Sequence, residues 1–280
     1  MPELPEVETI HRSLEKILPG KTIESIDVKE EKQFFGDRQK AVGKKIANVS
    51  RKGKVLTIVL EDSLFISIHL KLTGQILFAD NKDHAVFKNN IPRTGTNIMP
   101  ANVTRVIFNF KDNSALFFND MRKFGWVKLT EKMPETAAVD LLSEKFTLEY
   151  FEKALSNSRK PIKVLLLEQD KIAGIGNIYD NDSLWEAKIH PERKTNTLSK
   201  QEVEHLYNGI KKIIDEGIQY KGSSAHDEIY LMPDSEPGQY QHHFRVYHRE
   251  NAPCLRCQTT IERIKQGGRS SFLCPKCQVK

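Results

Sequence analysis

Apolar residues at Val7, Ile10, Leu14, Ile17 and Leu18 recur at the spacing of one helical face. Pro5 and Glu6 suit a first helical turn, and Pro19-Gly20 ends the run. Beyond it the period shortens. Residues 22–30, 45–50, 54–60, 64–70, 75–79, 105–110, 114–119 and 125–130 are short β-rich runs between turn formers, and LFISIHL at 64–70 alternates over part of its length. Many short strands with little helix between them predict a β-sandwich or barrel. The polar stretch 80–104, with Pro92 and Pro100, predicts a long loop. Near residue 131 the pattern changes again. EKMPETAAVD reads as a linker, and LSEKFTLEYFEKALS, PIKVLLLEQD, GNIYDNDSLWEA and SKQEVEHLYNGIKKIIDEGI are helical in period, with Gly217 as a stop. Residues 221–244 have no period and several turn formers, which predicts a mobile loop. The expected organisation is α+β in three parts: 1–131 rich in strands, 132–240 helical, and 241–280 a small terminal module.

A chain of 280 residues with 39% apolar side chains can bury two ordinary cores and carry a small module besides. No apolar run approaches the roughly 18–20 residues of a membrane span, and the acidic N-terminus is not a secretory signal. A cytoplasmic monomer without membrane contact is therefore expected. Charge placement adds more than its total. Residues 241–280 set eight bases against Glu250 and Glu262, which supplies the whole net charge of +6, whereas the first 240 residues balance 35 bases with 35 acids. A basic tail fits a polyanion such as nucleic acid, and equally a solubilising end.

All four cysteines lie in that tail, as Cys254-x2-Cys257 and Cys274-x2-Cys277. Two close thiol pairs separated by a hairpin's length meet the tetrahedral demand of one structural Zn2+, with a redox pair as the alternative. The intervening segment reads as two strands around Gly267-Gly268, a turn that would project Arg269 as a phosphate clamp. Residues 162–185 read as helix, glycine turn (Gly174, Gly176) and a second helix opening near Asn177. Amides at such a helix start can bind phosphate, although a plain helical hairpin has the same pattern.

The opening string MPELPEVET holds the remaining candidate chemistry. Removal of Met1 would make Pro2 the N-terminus. An α-amino group titrates near about 7.7–8.0, against about 10.4 for lysine, so a useful fraction is free amine at neutral pH. A secondary amine that attacks a sugar carbon forms an iminium, and the nearby Glu3 and Glu6 are carboxyls suited to proton transfer. The same residues also make an ordinary amphipathic helix.

MPELPEVET resembles the opening of the formamidopyrimidine-DNA glycosylases, repair enzymes that excise oxidised purines and nick the DNA. The resemblance implies an N-terminal β-sandwich with flanking helices, a helical domain with a helix–two-turn–helix, and a zinc-bound β-hairpin finger, with damaged double-stranded DNA bound between them. It implies Pro2 as Schiff-base nucleophile, Glu3 as acid and Lys54, in RKGKVL, as a proton-transfer group in β/δ-lyase strand cleavage. Arg269 would grip phosphate and serve later elimination. GxGNIY gives Asn177 a phosphate contact, joined by Lys163, and NDMRKFGW makes Arg122 the partner of the widowed base and Phe124 the wedge. Leu72 stands where many members have a methionine wedge, followed by Thr73. VTRV replaces a histidine-bearing stretch, so that DNA contact is lost or passes to Arg105. Asp180 and Asp182 stand where small and glutamate residues are usual, and the 221–244 loop keeps GSS and EPGQY of the family pattern. Two other readings share this scaffold: an endonuclease VIII-like enzyme for oxidised pyrimidines, and a non-catalytic zinc-finger DNA-binding protein.

Overall fold

Helix α1 (Leu4–Ile17) forms where the apolar spacing places it, and its buried stripe of Leu4, Val7, Ile10 and Leu14 faces a core made by strands. In this computed structural model, which describes every residue except 135, 136, 157 and 225–229, those strands are β1 (Ile23–Val28), β2 (Phe34–Phe35), β3 (Ile46–Lys52), β4 (Val55–Leu60), β5 (Phe65–His69), β6 (Gly74–Ala79), β7 (Thr104–Phe110), β8 (Ala115–Asp120) and β9 (Trp126–Thr130). They build two sheets, of order β1-β7-β8-β6 and β2-β9-β5-β4-β3, antiparallel throughout except for the parallel β2·β9 pair. Ile58, Ile66, Ile68 and Val127 from one sheet meet Val106, Phe108, Leu116 and Phe118 from the other, so the first unit is a sandwich. Each such side chain contributes about 1.5–3 kcal/mol by leaving water.

The eight expected strand runs all correspond to observed strands; β2 was not expected. The 80–104 stretch is more than a polar loop. Phe87, Ile91 and Met99 pack on Leu77, Ile107, Ala115 and Phe117, the outward residues of the four-stranded sheet, so that sheet is buried on both faces.

Two compact units emerge from the packing: Met1–Glu135 with Tyr220–Gln241, and Thr136–Gln219 with His242–Lys280. Residues 220–241, expected with the helical part, belong to the first unit because Tyr230 and Met232 enter the main core and Leu231 the smaller one. Residues 225–229 of the expected mobile loop, and 135–136 of the expected linker, lie outside the described residues. The flanks of that loop are ordered. Ser224 accepts from Gly238 N at 2.9 Å and donates to the Tyr230 carbonyl at 2.6 Å, while Tyr240 N donates to the Gly222 carbonyl at 2.8 Å. The motifs GSS and EPGQY thus bond to each other.

The second unit carries β10 (Val139–Asp140), α2 (Leu148–Ser156), α3 (Ile162–Leu166), β11 (Ile172–Ala173), α4 (Asn177–Glu186), α5 (Lys200–Gln219), and a hairpin of β12 (Glu262–Gln266) and β13 (Arg269–Leu273). Helix α2 starts later than its apolar period suggests, and α5 runs past Gly217. The terminal hairpin, expected as a separate module, packs in this unit: a Cβ on Gly267 would touch Val164 of α3 at 3.4 Å. Among the described residues no helix is long and apolar enough to cross a membrane.

Candidate functional site

Pro2 and Glu3 are buried at the head of α1. Helix starts leave backbone amides without intrahelical partners, and here Glu6 reaches back so that its Oε2 accepts from Glu3 N at 2.7 Å. Its Oε1 accepts from Ser223 N at 2.8 Å, joining the head of α1 to the GSS motif. Gly222 is required at that approach, since its φ is +78° and a Cβ would lie 2.7 Å from the Glu6 carboxyl.

Lys54 occupies the turn between β3 and β4 and is 8% exposed. Arg51 holds this turn from inside, with Nη1 donating to the Gly53 carbonyl at 2.9 Å and Nε 2.6 Å from Glu8 Oε2 on α1. Burial opposes the charge on Glu8, but hydrogen bonds from His11, Arg12 and Arg51 outweigh it and hold the carboxyl at about 2. His69, at the end of β5, is pushed down to about 3 by burial and by the neighbouring charges of Lys71 and Lys54. It is therefore neutral at working pH, and its Nδ1 accepts from Lys71 N at 3.0 Å.

Leu72, Arg122 and Phe124, expected from the resemblance to meet the DNA stack, come together. Leu72 and Phe124 are 37% and 53% exposed, unusual for large apolar side chains on one small region. The Arg122 guanidinium lies 5.0 Å over the Phe124 ring, and Arg122 N donates to Thr73 Oγ1, next to Leu72, at 2.9 Å. Lys123 pairs with Glu30. Arg105 uses Nε on the Asp120 carbonyl at 2.8 Å and Nη1 on the Asn102 carbonyl at 3.1 Å, so it braces the base of this loop.

In the second unit Asn177 opens α4 and is partly exposed. Lys163 is 1% exposed, with Nζ 3.1 Å from the Ser270 carbonyl of β13 and 3.4 Å from the fully buried Asp180 carboxylate. Asn181 Oδ1 accepts from Phe272 N at 2.7 Å, and the Asp182 carboxylate accepts from the amides of Arg245, Val246 and Tyr247 at 3.0–3.2 Å. Successive residues of NIYDND thus hold the hairpin and the 245–247 segment, and that is what Asp180 and Asp182 do in this chain. Arg269 is exposed beside Gly267 and Gly268, whose φ values of +56° and +74° suit a tight two-residue hairpin turn.

The four cysteine sulfurs lie within 4.8 Å of one another. Sγ–Sγ separations of 4.0 Å for Cys254–Cys277 and 3.4 Å for Cys257–Cys274 and Cys257–Cys277 bracket the roughly 3.8 Å that four thiolates take around a metal at about 2.3 Å. Trp185 Nε1 and Arg256 N each stand 3.4 Å from Cys254 Sγ, and such donors steady thiolate ligands. The residues fit a metal-binding site.

Sequence reasoning missed the Glu8–Arg51 pair, the Glu6–Ser223 link and the Asp182 acceptor. Each joins residues far apart in the chain, and charge type alone gave no signal of pairing.

Three family descriptions match the chain in order. They are the formamidopyrimidine-DNA glycosylase N-terminal domain over residues 1–127, the formamidopyrimidine-DNA glycosylase H2TH domain over 137–228, and a zinc finger found in FPG and IleRS over 252–279. The formamidopyrimidine-DNA glycosylases of Pelotomaculum thermopropionicum and Desulforamulus reducens are each 38% identical, over 99% of this chain and 99% of theirs. Among solved structures, the MutM (Fpg) protein of Thermus thermophilus is similar with a TM-score of 0.86 and 31% identity, covering 99% of this chain and 98% of that one. The wild-type Lactococcus lactis Fpg in complex with DNA containing N7-benzyl-Fapy-dG is similar with a TM-score of 0.85 and 32% identity over both whole chains.

Proposed function

The chain belongs to the formamidopyrimidine-DNA glycosylase family, DNA-binding enzymes of base-excision repair, and we propose that it excises oxidised purines from duplex DNA and then cleaves the strand as a β/δ lyase. With Met1 removed, the Pro2 nitrogen is a secondary amine at the positive end of α1, where a further cation is disfavoured. Its lone pair attacks C1′ of the damaged nucleotide while the bond from C1′ to the base breaks and the base departs with the bonding pair, to be protonated by water. The ammonium so formed loses its proton, Glu3 donates a proton to the ring oxygen, and the freed nitrogen pair forms the C=N bond of the iminium as the C1′–O bond breaks and the sugar opens. Both Glu6 oxygens accept backbone amides, the Glu3 carboxyl accepts the Glu6 amide in the same capping box, and Glu3, adjacent to Pro2, takes the acid role that the family resemblance gives it. The iminium withdraws electrons from C2′, whose proton leaves as the C3′–O bond breaks and the 3′-phosphate departs. Lys54, held by the Arg51-braced turn, handles a proton in this elimination. Water then hydrolyses the iminium and frees Pro2.

Phe124 and Leu72 fill the space the extruded base leaves, and Arg122 hydrogen-bonds the widowed base; unstacking costs a few kcal/mol, which apolar wedges partly offset. Asn177 and Arg269 hold phosphates, and Lys163 serves DNA by fixing β13 in place. One Zn2+ held by Cys254, Cys257, Cys274 and Cys277 makes the hairpin rigid. The enzyme acts as a cytoplasmic monomer. Oxidised purines are favoured over pyrimidines because the Lactococcus lactis neighbour holds a Fapy-dG derivative.

The observation that carries this reading is Pro2-Glu3 at the buried head of α1, in a chain similar along its whole length to proteins of this name. A panel of duplexes with one lesion each tests it. Duplexes containing Fapy-dG should lose the base and be nicked, and duplexes containing an oxidised pyrimidine should react more slowly. The reverse order would favour the pyrimidine reading, and base release with an intact strand would remove the lyase step.

A further inference from the structure

Asp120 ends β8 immediately before the loop that carries Arg122 and Phe124, and it is fully buried. Four donors converge on its carboxylate. Oδ1 accepts from Thr73 Oγ1 at 2.5 Å and from Arg122 N at 3.2 Å, and Oδ2 accepts from Gly125 N at 2.7 Å and Gln33 Nε2 at 2.9 Å. The partners cross-link in turn. Thr73 Oγ1 accepts from Arg122 N, and Gln33 Nε2 also donates to the Gly125 carbonyl at 2.8 Å. One buried anion therefore ties the residue after Leu72 to both ends of the 122–125 loop.

A buried carboxylate is costly unless donors fill its lone pairs, and here they do. Above this polar knot stand two exposed apolar tips, Leu72 and Phe124. Exposed side chains have little packing to fix their place, so their aim depends on the backbone beneath them. Ordering that backbone before DNA arrives removes the ordering cost from the bound complex.

We infer that Asp120 is the positioning residue of the base-extruding wedge, joining the Leu72 turn and the Arg122–Phe124 loop into one preorganised body through Thr73, Arg122 N and Gly125 N. The inference rests on the reading of Leu72, Arg122 and Phe124 as that wedge. Asp120 acts through its four donors. Asparagine in its place has the same shape but turns an NH2 toward donors, so at least one pair of contacts is lost. Thr73→Val keeps the shape of Thr73 and removes the bridging hydroxyl, whereas Thr73→Ser keeps the hydroxyl.

The test is single-turnover excision from duplexes with Fapy-dG opposite dC or dA, with 2-aminopurine beside the widowed base to report unstacking. D120N and T73V should slow excision by about tenfold, the loss of one to two net hydrogen bonds. The ratio of rates opposite dC and dA should move toward unity, the 2-aminopurine rise should be delayed, and T73S should restore all three. If D120N does not fold, T73V with T73S rescue decides by the same criteria. F124A, run in parallel, separates the two ideas. A parental F124A overturns the wedge reading itself. A defective F124A beside parental D120N and T73V overturns the inference about Asp120. Slower excision by D120N and T73V with the base ratio and fluorescence unchanged also overturns it, because general loosening would do the same.

Discussion

Arg51 Nε stands 2.6 Å from Glu8 Oε2, an ion pair that fastens the helix bearing Pro2 and Glu3 to the turn bearing Lys54. Both side chains are almost wholly buried, and Arg12 and His11 complete the shell around Glu8. Breaking such a pair leaves one buried charge without its counterion, which costs more than the pair contributes.

Glu8→Gln should therefore lower stability at pH 7 by about 2 kcal/mol, a figure discounted for partial solvent access. The sign follows from the depressed carboxyl at about 2: its contribution is complete above the ordinary value of 4.5 and is lost as pH falls toward 2. His11 works in the opposite direction. Its hydrogen bond to Glu8 raises it above 6.5 against the pull of burial, so its contribution is complete below 6.5 and is lost as pH rises through the raised value. Denaturant unfolding between pH 3 and 8 should show parental stability falling at the acid end and a flatter profile for Glu8→Gln. Identical profiles would contradict the account.

Lys163 and Asp180 make a second prediction. Lys163→Met would remove the ammonium that stands 3.4 Å from the fully buried Asp180 carboxylate and release Ser270 of β13, at a cost of about 3–5 kcal/mol. Lys163→Met with Asp180→Leu should recover much of that loss, since a buried pair and an apolar pair of similar volume are close in energy. Thermal unfolding checks both. DNA affinity should fall in the single variant while the preference among lesions stays, because the hairpin and not the lesion contact is disturbed.

Chelation should remove one metal ion and DNA binding together, and leave the sheets of the first unit intact. Structural zinc supplies about 10–16 kcal/mol to small modules of this kind, more than the hairpin's own core can replace. Metal analysis of the chain, DNA titration and amide exchange in β3–β9 provide the readouts. A metal-free protein that binds DNA normally would contradict this.

Strand positions were legible because period-two patterns survive any packing partner, so all eight expected runs appear in the fold. Strand β2 was not, since two residues, Phe34 and Phe35, owe their pairing to β9 and carry no period of their own. The cysteine cluster was legible from spacing alone, because two CxxC pairs impose their geometry locally. The period-free stretch around 220–241 was the least legible part of the first unit, because turn formers signal a loop and composition cannot report that Tyr230 and Met232 are buried in the main core. Buried polar links were the least visible. Glu8 and Arg51 are 43 positions apart, and Asp182 reaches amides more than 60 positions away, which only the fold brings together.

Whether the N-terminal nitrogen of Pro2 becomes covalently bound to DNA is tested most directly by borohydride trapping with mass mapping of the adduct, and that test can contradict the proposed chemistry outright. Reduction during reaction with a Fapy-dG duplex should yield a stable protein–DNA adduct whose DNA-bearing peptide begins at Pro2, and a variant that retains Met1 should yield none. An adduct mapped to Lys54 or another lysine, or full trapping by protein that still carries Met1, would contradict it.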